Sequence, residues 1–293
     1  MPLIEIKRLT KDYGAGRGVF DVNLTVEKGE VYGFVGTNGA GKTTTIRHLM
    51  GFIKPQSGGA SVGGVDCWRD PAKIMKRVGY IPGEIAFPDE ATGTSFFKRQ
   101  ADLLGLRDMA YADYITQKLQ LDPTANLKRM SKGMKQKTAI VAALMADPEI
   151  LILDEPTTGL DPLMRAAFVD ILNDEKKKGK TIFMSSHMFE EVEDTCDKVA
   201  FLKDGKIIAS ISTEEIKHKQ EKTFKIEFAT AGDYTRFLAE PLTFSEQREA
   251  QNQVLVTIHD SNINGFTKLL RGYRIKFITE IKYSLEKYFK TLY

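Results

Sequence analysis

Gly36-Thr37-Asn38-Gly39-Ala40-Gly41-Lys42-Thr43-Thr44 stands between the apolar run Val31-Tyr32-Gly33-Phe34-Val35 and a stretch, Thr44 to Met50, that reads as helix. Strand, glycine-rich loop and helix, in that order, are the context of a phosphate-binding loop. Gly36, Gly41, Lys42 and Thr43 satisfy the spacing G-x-x-x-x-G-K-[ST]. The chemistry needs these residue types. Glycines let backbone N–H groups turn inward around phosphates, and the helix N-terminus adds its positive dipole end. Lys42 is placed to reach the β- and γ-phosphates of a nucleotide, and the Thr43 hydroxyl to ligate Mg²⁺.

Downstream, Ile150-Leu151-Ile152-Leu153-Asp154-Glu155 is an apolar strand that ends on adjacent carboxylates. A buried strand of this kind leaves its acids at the carboxyl edge of the sheet, where open α/β sheets bind ligands. Asp154 suits Mg²⁺ coordination, and Glu155 suits orienting and deprotonating a water for in-line attack. Taken alone, the acids also fit the capping of a following helix. With the glycine loop, they read as a nucleotide hydrolase site.

The rest of the chain supplies the frame. Leu3, Ile4 and Ile6 alternate as a strand, a turn follows around Gly14 and Gly16, and Asp21 to Val26 is strand-like. Between Thr92 and Ala146 the pattern is helical, with Phe96, Phe97, Leu103 and Leu104 spaced to cover one face. Thr181 to Met184 is another buried strand. Short β runs separated by helices predict an α/β domain with a mostly parallel sheet. Composition shifts near Ile216, where His218-Lys219-Gln220-Glu221-Lys222 reads as a polar linker. Beyond it lie strand-like Phe224–Phe228, Val254–Ile258 and Ile275–Ile281, then a helix with Leu285, Tyr288, Phe289 and Leu292 on one face. The expected division is an α/β domain over 1–216, with a helical subdomain at about 88–146, and a small α+β domain over 217–293.

Composition narrows the setting. Over 293 residues, 42% hydrophobic and 28% charged content is ordinary for a soluble globular protein. A net charge of +3 argues against a long basic nucleic-acid stripe. Cys67 and Cys196 are far apart with no CxxC spacing, which points to reduced thiols rather than a disulfide framework or zinc site. The N-terminal stretch carries Glu5, Lys7 and Arg8 and lacks the apolar core of a signal peptide. The longest apolar run, Ala139 to Ala146, is far short of the ~20 residues that cross a bilayer. Work at a membrane therefore requires a separate spanning chain.

Further motifs select among phosphate-loop enzymes. Met130-Ser131-Lys132-Gly133-Met134-Lys135-Gln136-Lys137 lies shortly before the acidic strand. Pro156-Thr157-Thr158-Gly159-Leu160-Asp161-Pro162 and Ser185-Ser186-His187 come after it, and Tyr13 lies near the start. This ordered set, over residues 3–213, resembles the ATP-binding cassette (ABC) family. The resemblance implies a P-loop ATPase that uses ATP and Mg²⁺, with the loop residues Gly36, Thr37, Asn38, Gly39, Ala40, Gly41, Lys42, Thr43 and Thr44 around the nucleotide. It implies that Tyr13 stacks on adenine and that Lys42, Glu155 and His187 are catalytic, His187 touching the γ-phosphate. It implies that Ser131, Lys132, Gly133 and Met134 face an ATP held by a second cassette, and that Asp161 links the two sites. Each residue also has a local reading: Tyr13 as a packed surface aromatic, Ser131 as a helix N-cap, His187 as a bonded loop histidine.

The chain departs from the family pattern twice. Lys132 and Met134 replace a glycine and the glutamine of the usual LSGGQ signature. After Gly79-Tyr80-Ile81-Pro82, where the family has a glutamine that touches Mg²⁺ and water, Gly83-Glu84 stands instead. That leaves Glu84 as a candidate substitute and raises the alternative of a subunit impaired in hydrolysis. The SKGMKQ form and the ending Ser284-Leu285-Glu286-Lys287-Tyr288-Phe289 are similar to the branch that serves export, including antibiotic or lantibiotic resistance, bacteriocin export, sodium extrusion and envelope traffic. By that resemblance the partners are a separate transmembrane permease and a second ATPase subunit, identical or paralogous. The location is the cytoplasmic face of the membrane, with no direct nucleic-acid partner. The rival is a soluble ABC-type ATPase acting on nucleic acid or ribosomes. Such proteins usually carry paired cassettes, coiled-coil insertions or zinc insertions, and this chain has none of their sequence signals.

Overall fold

The computed structural model describes residues 2–218 and 220–292, which form two compact units divided between Ser212 and Thr213. In the first unit, β1 (Pro2–Asp12), β2 (Gly18–Glu27), β3 (Val31–Gly36), α1 (Lys42–Leu49), β4 (Ser57–Val62), β5 (Val65–Asp66), α2 (Pro71–Met75) and β6 (Val78–Ile81) come first. Helices α3 (Gly93–Leu104), α4 (Ala110–Lys118) and α5 (Lys132–Leu144) follow. Then come β7 (Ile150–Asp154), α6 (Pro162–Lys177), β8 (Thr181–Ser186), α7 (Phe189–Thr195), β9 (Lys198–Lys203) and β10 (Lys206–Ser212).

One sheet is antiparallel with order β2-β1-β4-β5. The other runs β10-β9-β3-β8-β7-β6 and is parallel except at its β10 edge. Every residue of β3, β7 and β8 is buried, which explains why these strands read as unbroken apolar runs rather than alternating ones. One apolar cluster holds Ile4, Ile6 and Val22 of the first sheet, Phe34, Ile152 and Phe183 of the second, and Ile46 and Leu49 of α1. This is the α/β architecture of a P-loop ATPase, with α3, α4 and α5 as its helical subdomain. Because β3, β8 and β7 are neighbours and parallel, the loops that leave their carboxyl ends converge.

The helical face proposed for α3 needs correction. Phe96 and Phe97 are buried, but Leu103 is 72% exposed and Leu104 46%. The last turn of α3, which ends on Gly105 in a left-handed cap, runs past the residues that cover the two phenylalanines.

The second unit contains α8 (Thr213–Lys217), β11 (Glu221–Phe228), α9 (Ala231–Leu238), β12 (Thr243–Arg248), β13 (Gln253–His259), α10 (Ile263–Leu270), β14 (Ile275–Ile281) and α11 (Leu285–Thr291). Its sheet is antiparallel with order β12-β13-β11-β14, the split βαββαβ arrangement. The division falls four residues before the expected 216/217 boundary, because α8 packs against α11 of the same unit. The expected linker is also shorter: Glu221 and Lys222 already belong to β11, and Lys219 lies outside the described residues. Strand β12 carried no clear sequence signal, since Thr243-Phe244-Ser245-Glu246-Gln247-Arg248 is an outer, mostly exposed strand with little apolar content.

Phe237 centres the core of this unit, fully buried with ring centroids 4.8 Å from Phe228 and 5.1 Å from Tyr273. Phe237→Ala removes a ring that nothing nearby replaces. It is expected to destabilise the unit by about 3–5 kcal/mol, read as a shift of its denaturant midpoint. Among the described residues no helix is long and apolar enough to cross a membrane, and both cysteines are buried and form no disulfide.

Candidate active site

The glycine loop leaves β3 and turns into α1 at Gly41, whose φ of +109° lies in the left-handed region. A side chain there is blocked as well as strained, because a Cβ would lie 2.9 Å from the Gly18 carbonyl oxygen and 2.7 Å from Val19 Cγ1. The loop is laced by its own backbone, with Ala40 N–H donating to Thr37 O at 3.1 Å and Gly205 N–H donating to Ala40 O at 3.0 Å. Helix α1 has no side-chain cap and no acid in its first turn, so its N-terminal amides remain available to an anion. One turn further, His48 is buried and its Nδ1–H donates to Thr44 O at 2.7 Å. Burial holds the His48 pKa below its ordinary value, which keeps the ring neutral inside α1.

Lys42 is nearly buried. Its ammonium donates to Gly36 O at 2.6 Å and Thr37 O at 3.3 Å and pairs with Glu155 Oε1 at 3.2 Å. Glu155 in turn holds the His187 ring through Oε2 and Nδ1. The Glu155 backbone sits at φ +51°, an unusual conformation for a residue with a side chain. Ser185 fixes it there: Glu155 N–H lies 3.0 Å from Ser185 Oγ and 3.2 Å from Ser185 O.

Asp154 ends β7 fully buried. Its Oδ1 accepts from Ser185 Oγ at 2.6 Å, while Oδ2 is buried with no partner. The main chain of Gly83 lies against that second oxygen, so close that a Cβ on Gly83 would stand 2.7 Å from it. The departure from the family pattern thus has a steric counterpart, since any side chain at 83 on this backbone path requires the Asp154 carboxylate to shift. Glu84 lines the cleft instead. Gly83→Ala is expected to press on Asp154 and raise the Mg²⁺ concentration needed for half-maximal ATP turnover by about tenfold, checked by Mg²⁺ titration.

Lys42, Glu155 and His187 face one open cleft of about 620 Å³, lined also by Tyr13, Asn38, Gly39, Gly41, Thr43, Thr44, Gly83 and Glu84, together with Arg17, Arg47 and Thr158. Tyr13 is 48% exposed at the rim, and Lys11 Nζ lies 5.7 Å from its ring centroid. Tyr13 N–H donates to Arg17 O at 2.9 Å, so one tight turn presents both side chains. Sequence reasoning did not single out Arg17, Arg47 or Ser185 as site residues. Ser185 had a signal, its place beside His187, whereas the arginines are brought in by the turn and by α1.

Ser131, Lys132, Gly133, Met134 and Asp161 do not line this cleft. Ser131 caps α5, its Oγ accepting from Met134 N–H at 3.2 Å, and Asp161 caps α6, accepting from Met164 N–H at 3.0 Å. The two loops touch, since a Cβ on Gly159 would lie 3.0 Å from Lys132 Cγ and one on Gly133 would lie 2.7 Å from Gly159 O. Gln136 of α5 reinforces the contact by donating Nε2–H to Pro156 O at 2.6 Å.

Comparison with known proteins bears on the family. Residues 19–158 match the family described as ABC transporter. The bacitracin transport ATP-binding protein BcrA of Bacillus licheniformis is 32% identical, the match covering 99% of this chain and 97% of that one. The ABC transporter ATP-binding protein NatA of Bacillus subtilis (strain 168) is 38% identical over 66% of this chain and 80% of its own length. A solved structure of an ATP-binding subunit of an ABC transporter is 32% identical, with a TM-score of 0.66 over 74% of this chain and 92% of the solved one. With the phosphate loop, the acid-ended β7 and a full-length relative all in agreement, the chain belongs to the ATP-binding subunits of ABC transporters.

Proposed function

We propose that the chain hydrolyses ATP to power a separate membrane permease, as a cytoplasmic subunit on the inner face of the membrane, and that the transporter is an exporter. The observation that carries the reading is the single cleft in which Lys42, Glu155 and His187 touch while the signature and Asp161 lie elsewhere. A site so divided is completed by a second cassette, identical or paralogous, closing head to tail. Resemblance to a full-length relative named for bacitracin transport supports the transporter part of the reading, and the export part rests on the SKGMKQ form of the signature and the C-terminal ending Ser284 to Phe289.

The residues fit a Mg²⁺ ion. Asp154 Oδ2 is a buried carboxylate oxygen with no hydrogen-bond partner, and Thr43 lines the cleft, which supplies the oxygen donors that Mg²⁺ takes. Asp154 and Thr43 would hold the ion, which when bound neutralises phosphate charge. The remaining work falls to the chain. Lys42 is satisfied by two loop carbonyls and by Glu155, so an incoming triphosphate takes over bonds the protein already makes. Once Lys42 turns to phosphate, Glu155 is released to orient a water and accept its proton. His187 keeps the Glu155 carboxylate aimed and offers its other ring nitrogen to the γ-phosphate. Tyr13 stacks on the adenine at the rim.

The reading is tested by a gentle-detergent pull-down of the tagged chain from membranes of its host. A polytopic protein in stoichiometric amount is expected, and its sequence would identify the class of cargo. Recovery of ribosomes or nucleic acid with no membrane partner would move the function to the soluble rival.

A further inference from the structure

The most informative polar group outside the cleft is Glu191 of α7, only 5% exposed. Its Oε2 accepts a hydrogen bond from Thr157 Oγ1 at 2.9 Å and another from Ser186 Oγ at 3.2 Å. Thr157 belongs to the loop that leaves β7 just after Glu155, and Ser186 immediately precedes His187. Both hydroxyl residues are buried. Two contacts fix the carboxylate's surroundings: Met188 N–H donates to Ser186 Oγ at 2.9 Å, and Thr195 Oγ1 donates to the Glu191 main-chain oxygen at 2.6 Å.

The β7–β8 ladder ends at the pair Asp154 and Ser185. Beyond it the two loops diverge, one carrying Glu155 and the other His187. Besides the contact of Glu155 with His187, the side chain of Glu191 ties them together. Its second oxygen, Oε1, is buried without a hydrogen-bond partner, so the group is an inefficient source of stability. Burial also pushes the carboxyl above its ordinary range, against the pull of Thr157 and Ser186. A buried acid with an idle oxygen is better explained by what its other oxygen holds in place.

We infer that Glu191 is a positioning residue, whose Oε2 fixes the spacing of the Glu155 and His187 loops and thereby keeps the His187 ring on the Glu155 carboxylate. The inference rests on the proposed ATPase reading for its catalytic consequence, but its structural part stands by itself. A glutamine at 191 keeps a carbonyl oxygen that accepts both hydroxyl groups, whereas a leucine of similar length keeps neither bond.

The test uses the full chain with E191Q, E191L and T157V, the last removing one hydroxyl donor at nearly constant shape. With four histidines in the chain, the ring signals of a histidine-labelled sample are few, and H187N assigns the one of interest. The His187 signal of E191L is expected to move to its position in E155A, T157V to move it in the same direction, and E191Q to leave it unchanged. In steady-state turnover, E191L is expected to lose about tenfold or more in kcat with the Kd for ATP unchanged, and E191Q to retain kcat. An E191L protein that folds, keeps the wild-type His187 signal and turns over ATP at the wild-type rate would overturn the inference. Should E191L fail to fold, an unmoved His187 signal and unchanged kcat in T157V would overturn it equally. A wild-type chain without ATPase activity, alone or with its permease, would count against the ATPase reading, while the ring signals would still decide the role of Glu191.

Discussion

Lys42→Ala is expected to weaken ATP binding by roughly a hundredfold or more, the range for truncating one member of a buried, hydrogen-bonded charge pair. The reason lies in the geometry of the loop. The ammonium is nearly buried, and its partners are two loop carbonyls and Glu155 rather than water. Phosphate oxygens entering the loop exchange with those partners, so binding requires little new desolvation of the cation. Alanine removes the charge and also leaves Glu155 facing the incoming triphosphate without its counterion, which adds like-charge repulsion. Binding of a fluorescent ATP analogue measures the loss. Lys42→Arg should not restore it fully, because the forked guanidinium is bulkier than the compact ammonium that fits between Gly36 and Thr37.

Glu155→Gln separates binding from chemistry. The amide is nearly the shape of the carboxylate, so the left-handed backbone held by Ser185 is expected to survive. It cannot take up a proton from water at neutral pH. The expected result is a fall in kcat by about a hundredfold to ten-thousandfold, the usual worth of a positioned general base, with ATP affinity retained. Loss of the Lys42–Glu155 ion pair frees Lys42 for phosphate, so the substitution is not expected to weaken ATP binding. A Glu155→Gln protein with the wild-type steady-state rate would remove this residue from the role of base.

The contrast between local and long-range information explains what the sequence made legible. The glycine loop and Lys42 were readable because loop, strand and helix are contiguous, and each glycine has a local reason. β3 and β7 were readable because burial on both faces demands an unbroken apolar run. β12 was not, because an exposed outer strand needs no apolar pattern. In α3 the heptad-like spacing of Phe96 and Leu103 was real but misleading: period says which residues share a face, and only tertiary packing says how far along the helix that face is covered. The division into units falls four residues before Ile216 for a related reason, since the contact of α8 with α11 joins segments distant in the chain. At the site, Glu191 and Arg17 look unremarkable in sequence. Their meaning comes from parallel strands that bring the loops after β7 and β8 side by side, and from the turn that follows β1. Gly83 shows the reverse case: the sequence signalled a departure, and the approach of its main chain to Asp154 supplies a physical account of it.

The division of the site between the cleft and the signature is the centre of the account, and the mass of the Glu155→Gln protein with and without Mg·ATP tests it most directly. Sedimentation should show single subunits without nucleotide. With Mg·ATP it should show a particle of two ATPase subunits, formed by this chain alone or with the ATPase subunit recovered in the pull-down. A protein that binds Mg·ATP fully and remains a single subunit in both mixtures would contradict it.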